Sequence, residues 1–444
     1  MRGAHTTALL HSRNAPVTFT KALQARALSD SFAGMNSKRI VIAGGGAAGF
    51  FAALACAETA NGTEIFILEK SSRFLSKVKI SGGGRCNVTY AEFDSREFSK
   101  RYPRGERVLI SAFEKFQAGD TVAWFESRGV KLKVESDGRM FPTTDSSQTI
   151  INCLLDATRR AGIKLKTNCG VDAAVKKPGD GFELALSNAE HLSCDKLLLA
   201  TGGCRTPALG QLAVSLGHQL EPPVPSLFTF HIATPWLRAL AGISVEHVEA
   251  SVPESKLRET GALLITHWGL SGPAILRLSA WGARALHAKN YSFPLQVNWL
   301  PGLNDQTIAA EFQSRRKSQP AKLVVNSPIP PLPARLWEQL VLAAGLTATL
   351  RWSGFSRAGQ HQLIQQLLRS EFPVTGKSLN KDEFVTCGGV RLSEVNFKTM
   401  ESKICPGLYF AGEVLDIDGI TGGFNFQSAW TTGWLAGKTM GRNS

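Results

Sequence analysis

Several patterns that mark known protein classes are missing from this sequence. The 444 residues include 8 cysteines, and no two of them form a Cys-x-x-Cys pair. That absence excludes a redox-active dithiol and the usual zinc spacings, and it favours buried, reduced thiols. No apolar run reaches the roughly 18 residues that a membrane-spanning helix requires, so we expect a soluble protein without a membrane partner.

Side-chain constellations for catalysis are also missing. The sequence shows no Ser-His-Asp set, no paired carboxylates, no metal-ligand spacing, no internal repeat and no low-complexity stretch. We therefore expect no metal, and no such constellation competes with a bound cofactor for the active-site role.

The charge of the chain is strongly positive but not clustered. Lysine and arginine number 50 against 36 for aspartate and glutamate, which gives a formal net charge of +14. The densest basic cluster is only Arg315-Arg316-Lys317. A diffuse excess is typical of a solvated surface, with nucleic acid or an anionic substrate as alternatives. We expect a small-molecule substrate and no nucleic-acid partner, and the sequence does not indicate an oligomeric state.

Residues 1–36 precede the first predicted strand. The segment carries four lysines or arginines before Met35 against one acid, Asp30, and it contains several Ser and Thr. Such a composition resembles a transit peptide, but a clean arginine-faced amphipathic helix is missing and Met35 is a natural start. We predict a disordered tail and a cytoplasmic protein, with an organellar location as the alternative if the segment is a targeting signal.

The strongest positive signal begins at Arg39. Strand-forming residues run into Gly44-x-Gly46-x-x-Gly49, and a helix-forming run follows. Gly44 allows a tight turn, Gly46 lets backbone approach a pyrophosphate, and Gly49 lets helix and strand pack closely. The next apolar run ends in Glu69, 20 residues after Gly49. An acid there can accept the ribose hydroxyls of an adenosine, so the pattern predicts a dinucleotide site.

Four later segments combine glycine with polar side chains: Ser81–Asn87, Thr201–Gly203, Gly412–Glu413 and Gly422–Gln427. A glycine-rich loop can approach a flat or anionic ligand, and a strand that ends in glycine admits a ligand over the carboxyl edge of a sheet. A carboxylate suits the hydroxyls of a ribityl chain, and a helix N-terminus suits an electron-rich ring. Each segment alone could be an ordinary turn, but together they indicate a cofactor site built from both ends of the chain.

The proline content and the hydrophobic pattern of the sequence change between these segments. From about residue 206, prolines interrupt short alternating runs, and a proline-rich linker leads into two helical patterns. We predict an α/β protein with five parts: a tail over 1–36, a first cofactor-binding segment over 37–205, an inserted β-rich domain over 206–333, an inserted helical domain over 334–383 and a second cofactor-binding segment over 384–444.

The inserted β-rich part contains one candidate catalytic side chain, His267, in the segment Thr266–Pro273. An imidazole at this turn could donate a proton to a substrate, whereas a lone histidine beside Trp268 is more often structural. The catalytic acid or base is otherwise not apparent from the sequence.

Taken in order, the glycine motifs resemble the two-segment FAD site of the glutathione-reductase superfamily. Lys79–Asn87, Thr266–Pro273 and Thr399–Lys403 are similar to motifs of the BaiN/YhiN-like flavoproteins, a bacterial family of NAD(P)/FAD-dependent oxidoreductases. The resemblance spans residues 37–441 and implies a Rossmann-like FAD domain interrupted by a β-barrel-like domain and a small helical domain. The motifs and the resemblance together imply these FAD-binding residues: Gly44, Gly46, Ala48, Gly49, Glu69, Lys70, Arg85, Cys86, Asn87, Val171, Thr201, Gly202, Gly412, Glu413, Gly423, Asn425 and Gln427.

The resemblance implies an oxidoreductase in which noncovalent FAD transfers hydride to or from a small organic substrate. Family members that act on a conjugated enone imply reduction of a C=C bond as a subclass. The alternatives are an FAD-dependent oxidase of amines or hydroxy compounds and, from a different class, an FAD-bearing RNA-modifying or RNA-binding protein. Because the sequence holds no second dinucleotide fingerprint, we expect NAD(P)H to act only as a transient reductant over the flavin.

Overall fold

The structure is a computed structural model that describes residues 38–204, 207–378 and 385–442. The predicted tail, residues 1–36, lies outside the described residues. Up to residue 204 the elements are β1 Arg39–Ala43, α1 Ala47–Ala57, β2 Glu64–Leu68, α2 Ser76–Gly84, β3 Thr89–Tyr90, α3 Ser95–Ser99, α4 Glu106–Phe113, α5 Ala118–Glu126, β4 Leu132–Val134, β5 Arg139–Pro142, α6 Ser147–Arg160, β6 Lys164–Lys166, β7 Val171–Lys176, β8 Phe182–Leu186, β9 His191–Cys194 and β10 Lys196–Leu199.

The middle and the end of the chain contain more strands and the longest helix. Their elements are α7 Pro207–Ser215, β11 Leu220–Ser226, β12 Thr229–Ile232, α8 Pro235–Arg238, β13 Ser244–Ser251, β14 Arg258–Ile265, β15 Gly269–Ser271, α9 Pro273–Trp281, α10 Ala283–Ala288, β16 Phe293–Asn298, α11 Asp305–Ser318, α12 Ala334–Ala343, α13 Arg357–Leu368, β17 Ser370–Ser378, β18 Val385–Val390, β19 Val395–Asn396, β20 Glu401–Ser402, β21 Leu408–Phe410 and α14 Phe424–Arg442. Within the described residues, no helix is apolar over a length sufficient to cross a membrane.

A seven-stranded sheet organises both ends of the chain. Its order is β19-β20-β21-β10-β1-β2-β6, and the five strands from β21 to β6 are parallel. The centre of β1 and of β10 is apolar and fully buried, as expected for parallel strands that are covered on both faces. The chain adds β2 and β6 on one side of β1 and then returns to add β10 on the other. Such a reversal opens a crevice at the carboxyl ends of β1 and β10, where open α/β sheets bind ligands.

Six strands of the inserted region close into a barrel in the order β12-β15-β14-β13-β16-β17. Along β12, Phe230 and Ile232 are fully buried whereas Thr229 and His231 are partly exposed, because successive side chains point to opposite faces. Helices α11, α12 and α13 contribute to the same hydrophobic core as the barrel strands. The expected α/β fold with an inserted β-barrel is confirmed.

Helix α14 packs closely against α1. Three glycines spaced four residues apart line one face of α14: Gly433, Gly437 and Gly441. A Cβ atom added to them would lie 2.4, 2.2 and 2.6 Å from carbonyl oxygens of α1, namely those of Ala48, Ala52 and Cys56. Both sets of residues advance in the same direction, so the two helices run parallel and begin at the same edge of the sheet.

A buried ion pair ties the barrel to the sheet. Arg104 pairs with Asp418, which is fully buried and also accepts a 2.8 Å hydrogen bond from the Ser226 hydroxyl. Arg104 donates a second hydrogen bond to the carbonyl of Ala280, at 2.6 Å. Burial raises the pKa of Asp418, while the neighbouring guanidinium acts in the opposite direction. Because Ser226 and Ala280 precede and follow barrel strands, the pair holds the insertion against both ends of the chain.

We expect the substitution Gly437→Ala to destabilise the protein, because its Cβ atom would stand 2.2 Å from the Ala52 oxygen. Overpacking of this kind costs about 1–3 kcal/mol. The matched control is Gly119→Ala in α5, where the added Cβ would meet nothing nearer than a Phe93 ring carbon at 3.7 Å. Urea unfolding of both variants measures the effect, and equal free energies of unfolding for the two variants would contradict the close packing of α1 and α14.

His218 is a buried histidine that links α7 to the β19–β20 hairpin. Its Nδ1 lies 2.9 Å from Glu394 Oε2, and its Nε2 lies 2.8 Å from Ser402 Oγ. Ser402 Oγ already accepts hydrogen bonds from the backbone N–H groups of Ile404 and Cys405. A second ring proton on His218 would therefore meet an oxygen that is already accepting, and burial lowers the pKa of His218.

This lowered pKa makes stability depend on pH. The unfolded histidine takes up a proton near pH 6.5 but the folded one does so only at lower pH. The contribution of neutral His218 to the free energy of unfolding is therefore fully present above about pH 6.5. It is lost as pH falls, at up to about 1.4 kcal/mol per pH unit. We expect His218→Gln to flatten this slope in urea unfolding between about pH 7.5 and 5.5. The same change at the exposed His361 serves as the control, and an unchanged slope in His218→Gln would refute the assignment.

Candidate active site

A cavity of about 740 Å³ opens at the carboxyl edge of the central sheet. Its floor is made by the segments that follow β1, β2, β10 and β21 and by the first residues of α14. Four residues of the inserted region close it from the other side, and we call them the roof: Leu227, Thr229, Ser271 and Leu276. The volume lies within the range of about 300–1,000 Å³ that is typical of cofactor and small-molecule sites.

The turn after β1 has the geometry that its glycines predict. Gly44 has a φ of +118°, and a Cβ atom on Gly49 would lie 2.1 Å from the Gly44 oxygen. Gly46 differs from both, because a Cβ atom there would meet no atom within 4 Å. Gly46 is the N-cap of α1 and lines the cavity. The space over Gly46 is therefore open, at the positive end of a helix, as binding of a pyrophosphate requires.

Glu69 follows β2 and lies beside that turn. Its two carboxylate oxygens accept hydrogen bonds from the backbone N–H of Gly45 at 2.9 Å and of Ser71 at 2.8 Å. Each oxygen keeps a further lone pair. The side chain is thus fixed at the cavity wall with capacity to accept two ribose hydroxyls.

The N-terminus of α14 forms a second part of the cavity floor, next to the turn after β1. Gly422 and Gly423 have φ values of +134° and +93° and line the cavity. With the amide orientation that satisfies both of its ends, Asn87 accepts a hydrogen bond from Gly423 N at 3.0 Å and donates one to Thr89 O at 3.1 Å. Asn425 exchanges two hydrogen bonds with the backbone of Gly419, at 2.8 and 2.9 Å. These amides hold the helix start open, so its N–H groups can face an electron-rich ring.

The strand ends after β10 and β21 supply polar groups to the floor. Glu413 pairs with Lys77 and accepts a 2.9 Å hydrogen bond from Thr386 N. The Oγ1 atom of Thr201 is buried and has no hydrogen-bond partner among the described residues. Because buried hydroxyls are normally hydrogen-bonded, this atom indicates a ligand that supplies the partner.

The roof carries two hydroxyl groups. The Thr229 hydroxyl donates to Ser271 Oγ at 2.9 Å, which leaves the Ser271 hydroxyl hydrogen free to bond a ligand in the cavity. Leu227 and Leu276 flank this pair and keep the rest of the roof apolar.

The structure brings most of the predicted FAD-binding residues together. Those that line the cavity are Gly44, Gly46, Ala48, Glu69, Asn87, Thr201, Gly202, Gly412, Glu413, Gly423 and Asn425. Gly49 packs against the Gly44 carbonyl and so supports the turn. Lys70 and Val171 lie outside the cavity lining, where Lys70 bonds Asp172, the residue after Val171. They stay predictions for the adenosine end of a longer ligand.

Three predicted residues from the glycine-rich loops point away from the cavity. Arg85 pairs with Glu135, and its guanidinium lies 4.0 Å from the centre of the Phe141 ring. Burial raises the pKa of the Cys86 thiol to about 12, so it is no thiolate nucleophile at neutral pH. Gln427 is fully buried and accepts hydrogen bonds from Thr89 and Thr121.

His267 is not brought to the cavity. It lies in the exposed turn between β14 and β15, whereas Ser271 of the same motif lines the roof. The sequence also did not single out several other lining residues: Ser71, Arg73, Ser76, Lys77, Arg139, Thr229, Leu276, Ile420 and Phe426. Four of them, Ser76, Lys77, Thr229 and Leu276, belong to α2 or to the insertion, and the other five lie in loops, in β5 or in α14.

These features fit FAD. The two helix N-termini and the open space over Gly46 suit a pyrophosphate and an electron-rich ring, and Glu69 suits a ribose. The unpartnered Thr201 hydroxyl and Glu413 can bond the hydroxyls or ring atoms between them. The donor set therefore matches the group that the sequence predicts.

The family profile of the HI0933-like protein Rossmann domain matches residues 38–439. The chain belongs to this family. One relative, a 3-dehydro-bile acid delta(4,6)-reductase of Clostridium scindens, is 30% identical over 90% of this chain and 98% of its own length. A ribosomal RNA dihydrouridine synthase of Escherichia coli is also 30% identical, over 90% of this chain and 97% of its own length.

Among solved structures, this HI0933-like fold is similar to the open conformation of a flavocytochrome c3 fumarate reductase. The identity is 16%, the TM-score is 0.50, and the match covers 95% of this chain and 80% of that chain. The expected family, the Rossmann-like fold, the flavin cofactor and the class of FAD-dependent oxidoreductases are confirmed.

We expect Gly46→Val to abolish flavin binding without unfolding the protein. The backbone of Gly46 has a φ of −93° and a ψ of −170°, which valine adopts without strain, and the added methyl groups would fill the space that a pyrophosphate needs. Gly302→Val is the control, since a Cβ atom on Gly302 likewise meets nothing within 4 Å. Flavin absorbance and far-ultraviolet circular dichroism check the result, and a folded Gly46→Val protein with full flavin content would overturn the site.

Proposed function

We propose that this chain reduces a C=C bond that is conjugated with a carbonyl group. The observation that carries the proposal is the composition of the cavity wall, in which a hydroxyl pair of the roof and the two helix N-termini of the floor line one cavity. The names of the two relatives support it, since both describe one type of reaction. A delta(4,6)-unsaturated 3-dehydro bile acid and the uracil ring of uridine each hold a C=C bond conjugated with a ring carbonyl.

The chain's own residues would bind, orient and polarise the substrate. FAD, when bound, supplies hydride chemistry. The starts of α1 and α14 stabilise negative charge at the floor, and the apolar roof residues exclude water from it. The Ser271 hydroxyl, held by Thr229, donates a hydrogen bond to the substrate carbonyl and so stabilises the charge that develops on its oxygen.

A uridine in RNA is the second candidate substrate, in place of a small enone. Two relatives are named ribosomal RNA dihydrouridine synthases, and this chain covers 97% and 98% of their lengths. The formal charge of +14 suits a polyanionic substrate. Nucleic acid, which the diffuse charge alone did not favour, therefore becomes a partner to be tested.

The reductant, the location and the domain boundaries belong to the proposal as well. We assign NAD(P)H as a transient electron donor, because the sequence holds one Gly-x-Gly-x-x-Gly motif after a strand. The cytoplasmic location and the domain boundaries at 37–205, 206–333, 334–383 and 384–444 stay predictions, and β17, a strand of the barrel, lies within the third of these ranges. An FAD-dependent oxidase of amines or hydroxy compounds is the outcome that would replace it.

The test is reoxidation of the chemically reduced holoenzyme by separate acceptors: a steroid enone and a uridine-containing single-stranded RNA, each under anaerobic conditions, and oxygen in a separate aerobic mixing. We expect the enone or the RNA to reoxidise the flavin and to gain two hydrogens, as measured by mass spectrometry. Rapid reoxidation by oxygen alone, with flavin reduction by amines or hydroxy acids, would contradict the proposal and favour the oxidase.

We expect Ser271→Ala to slow this reoxidation by about 10²-fold at unchanged flavin content, the usual effect of removing one donor to a developing oxyanion. The control is Ser255→Ala, a barrel serine in an exposed turn outside the cavity. Stopped-flow absorbance measures both variants, and equal rates for them would remove Ser271 from the mechanism.

A further inference from the structure

One face of the barrel runs from the cavity roof to the protein surface. Thr229 lines the cavity, and His231 lies two residues further along β12 on the same outward face, about 7 Å away. On the neighbouring strand β15, Ser271 bonds Thr229 and Gly269 pairs with His231. The sheet face that carries the roof hydroxyls therefore continues to His231.

At the surface end of this face, His231 and Trp268 form an aromatic pair, which we call the platform. Their ring centroids lie 5.8 Å apart with an angle of 39° between the planes. Trp268 is 58% exposed, although an indole is among the largest apolar side chains. Glycine flanks His231 on both neighbouring strands, as Gly269 on β15 and Gly376 on β17. The imidazole therefore has no bulky side chain paired with it on either strand.

The backbone holds the platform in place. Trp268 O accepts a hydrogen bond from Ile232 N at 2.9 Å, and Trp268 N donates to Thr266 Oγ1 at 3.2 Å. A Cβ atom on Gly269 would lie 2.3 Å from Phe230 O, so only glycine permits this close approach of β15 to β12. An exposed indole on a fixed backbone is preorganised for binding, because little conformational freedom is lost when a ligand stacks on it.

Positive charge lies next to the platform. Arg238 Nε donates to Ile232 O at 2.9 Å, which places the guanidinium at the same end of β12. Arg335 Nη2 reaches Ala239 O, in the turn after α8, at 3.3 Å. Aromatic rings beside guanidinium groups are the combination that binds single-stranded nucleic acid, since bases stack on the rings and phosphates pair with the cations. A neutral enone would use the rings but not the charges.

We propose that the platform and Arg238 bind single-stranded RNA beside the reacting base. A neighbouring base stacks on Trp268 and His231 while its phosphate pairs with Arg238, and the target uracil enters the cavity under Thr229 and Ser271. The inference rests on the proposed reductase function, with RNA-borne uridine as its substrate.

The experiment is titration of the FAD-loaded full chain into a fluorescein-labelled, uridine-rich single-stranded RNA, followed by anisotropy. We expect Trp268→Ala to weaken binding by about 5- to 150-fold, which corresponds to about 1–3 kcal/mol per stacked base. Trp268→Phe keeps an aromatic ring and should stay within about threefold of the native chain. The control is Trp281→Ala, because Trp281, the last residue of α9 in the insertion, is also an exposed tryptophan, at 40%.

Reoxidation by a steroid enone is measured with the same proteins, so that two failures can be told apart. Equal RNA affinity of Trp268→Ala and the native chain would overturn the platform. If Trp268→Ala lost enone reduction by the same factor as RNA binding, the proposal would also be overturned, since the rings would then belong to a small-molecule site. A native chain that reduces the enone but does not bind the RNA would remove RNA as the substrate and leave the reductase function standing.

Discussion

The close contact between α1 and α14 is the constraint on which the site depends. Gly437 and its two neighbouring glycines let α14 lie against the carbonyl oxygens of α1, so the helices run parallel and start at one edge of the sheet. Two parallel helices with adjacent positive ends repel each other unless negative charge lies at those ends. Gly46 and Gly423, which precede the two helices, both line the cavity. The packing that joins the two ends of the chain therefore also selects an anionic, electron-rich cofactor.

The insertion has a different role from the sheet. Its described residues contribute no parallel strand to the floor, but they cover the cavity with one face of the barrel and are held there by Arg104 and the buried Asp418. Under the proposed function, cofactor binding and substrate selection thus lie on different segments of the chain. A roof built from short strands and turns can change its side chains without disturbing the helix starts below it. The two relatives, which share about the same identity with this chain, are named for very different substrates.

The parts of the site that could be predicted are those where one residue type is physically required. Gly44 needs its positive φ, Gly49 admits a carbonyl oxygen at contact distance, and Glu69 follows a strand at a set spacing, so sequence alone predicted them. The close packing of the glycine face of α14 could not be predicted, because the carbonyl groups that it contacts lie far away in sequence. Thr229 and Ser271 escaped for a similar reason, since only the closed barrel brings these strands together. Arg85 and Gln427 were polar residues in the right motifs, but their side chains point to Glu135 and Thr89.

The central claim is that one FAD molecule binds across the two helix starts. Equilibrium dialysis of the purified, flavin-depleted chain against FAD, followed by visible absorption spectroscopy of the protein, measures this directly. The account predicts saturable uptake of a single FAD per chain, released intact on denaturation, and no uptake by Gly46→Val. A native chain that remains folded and colourless at saturating FAD, or a Gly46→Val chain that binds FAD equally well, would contradict it.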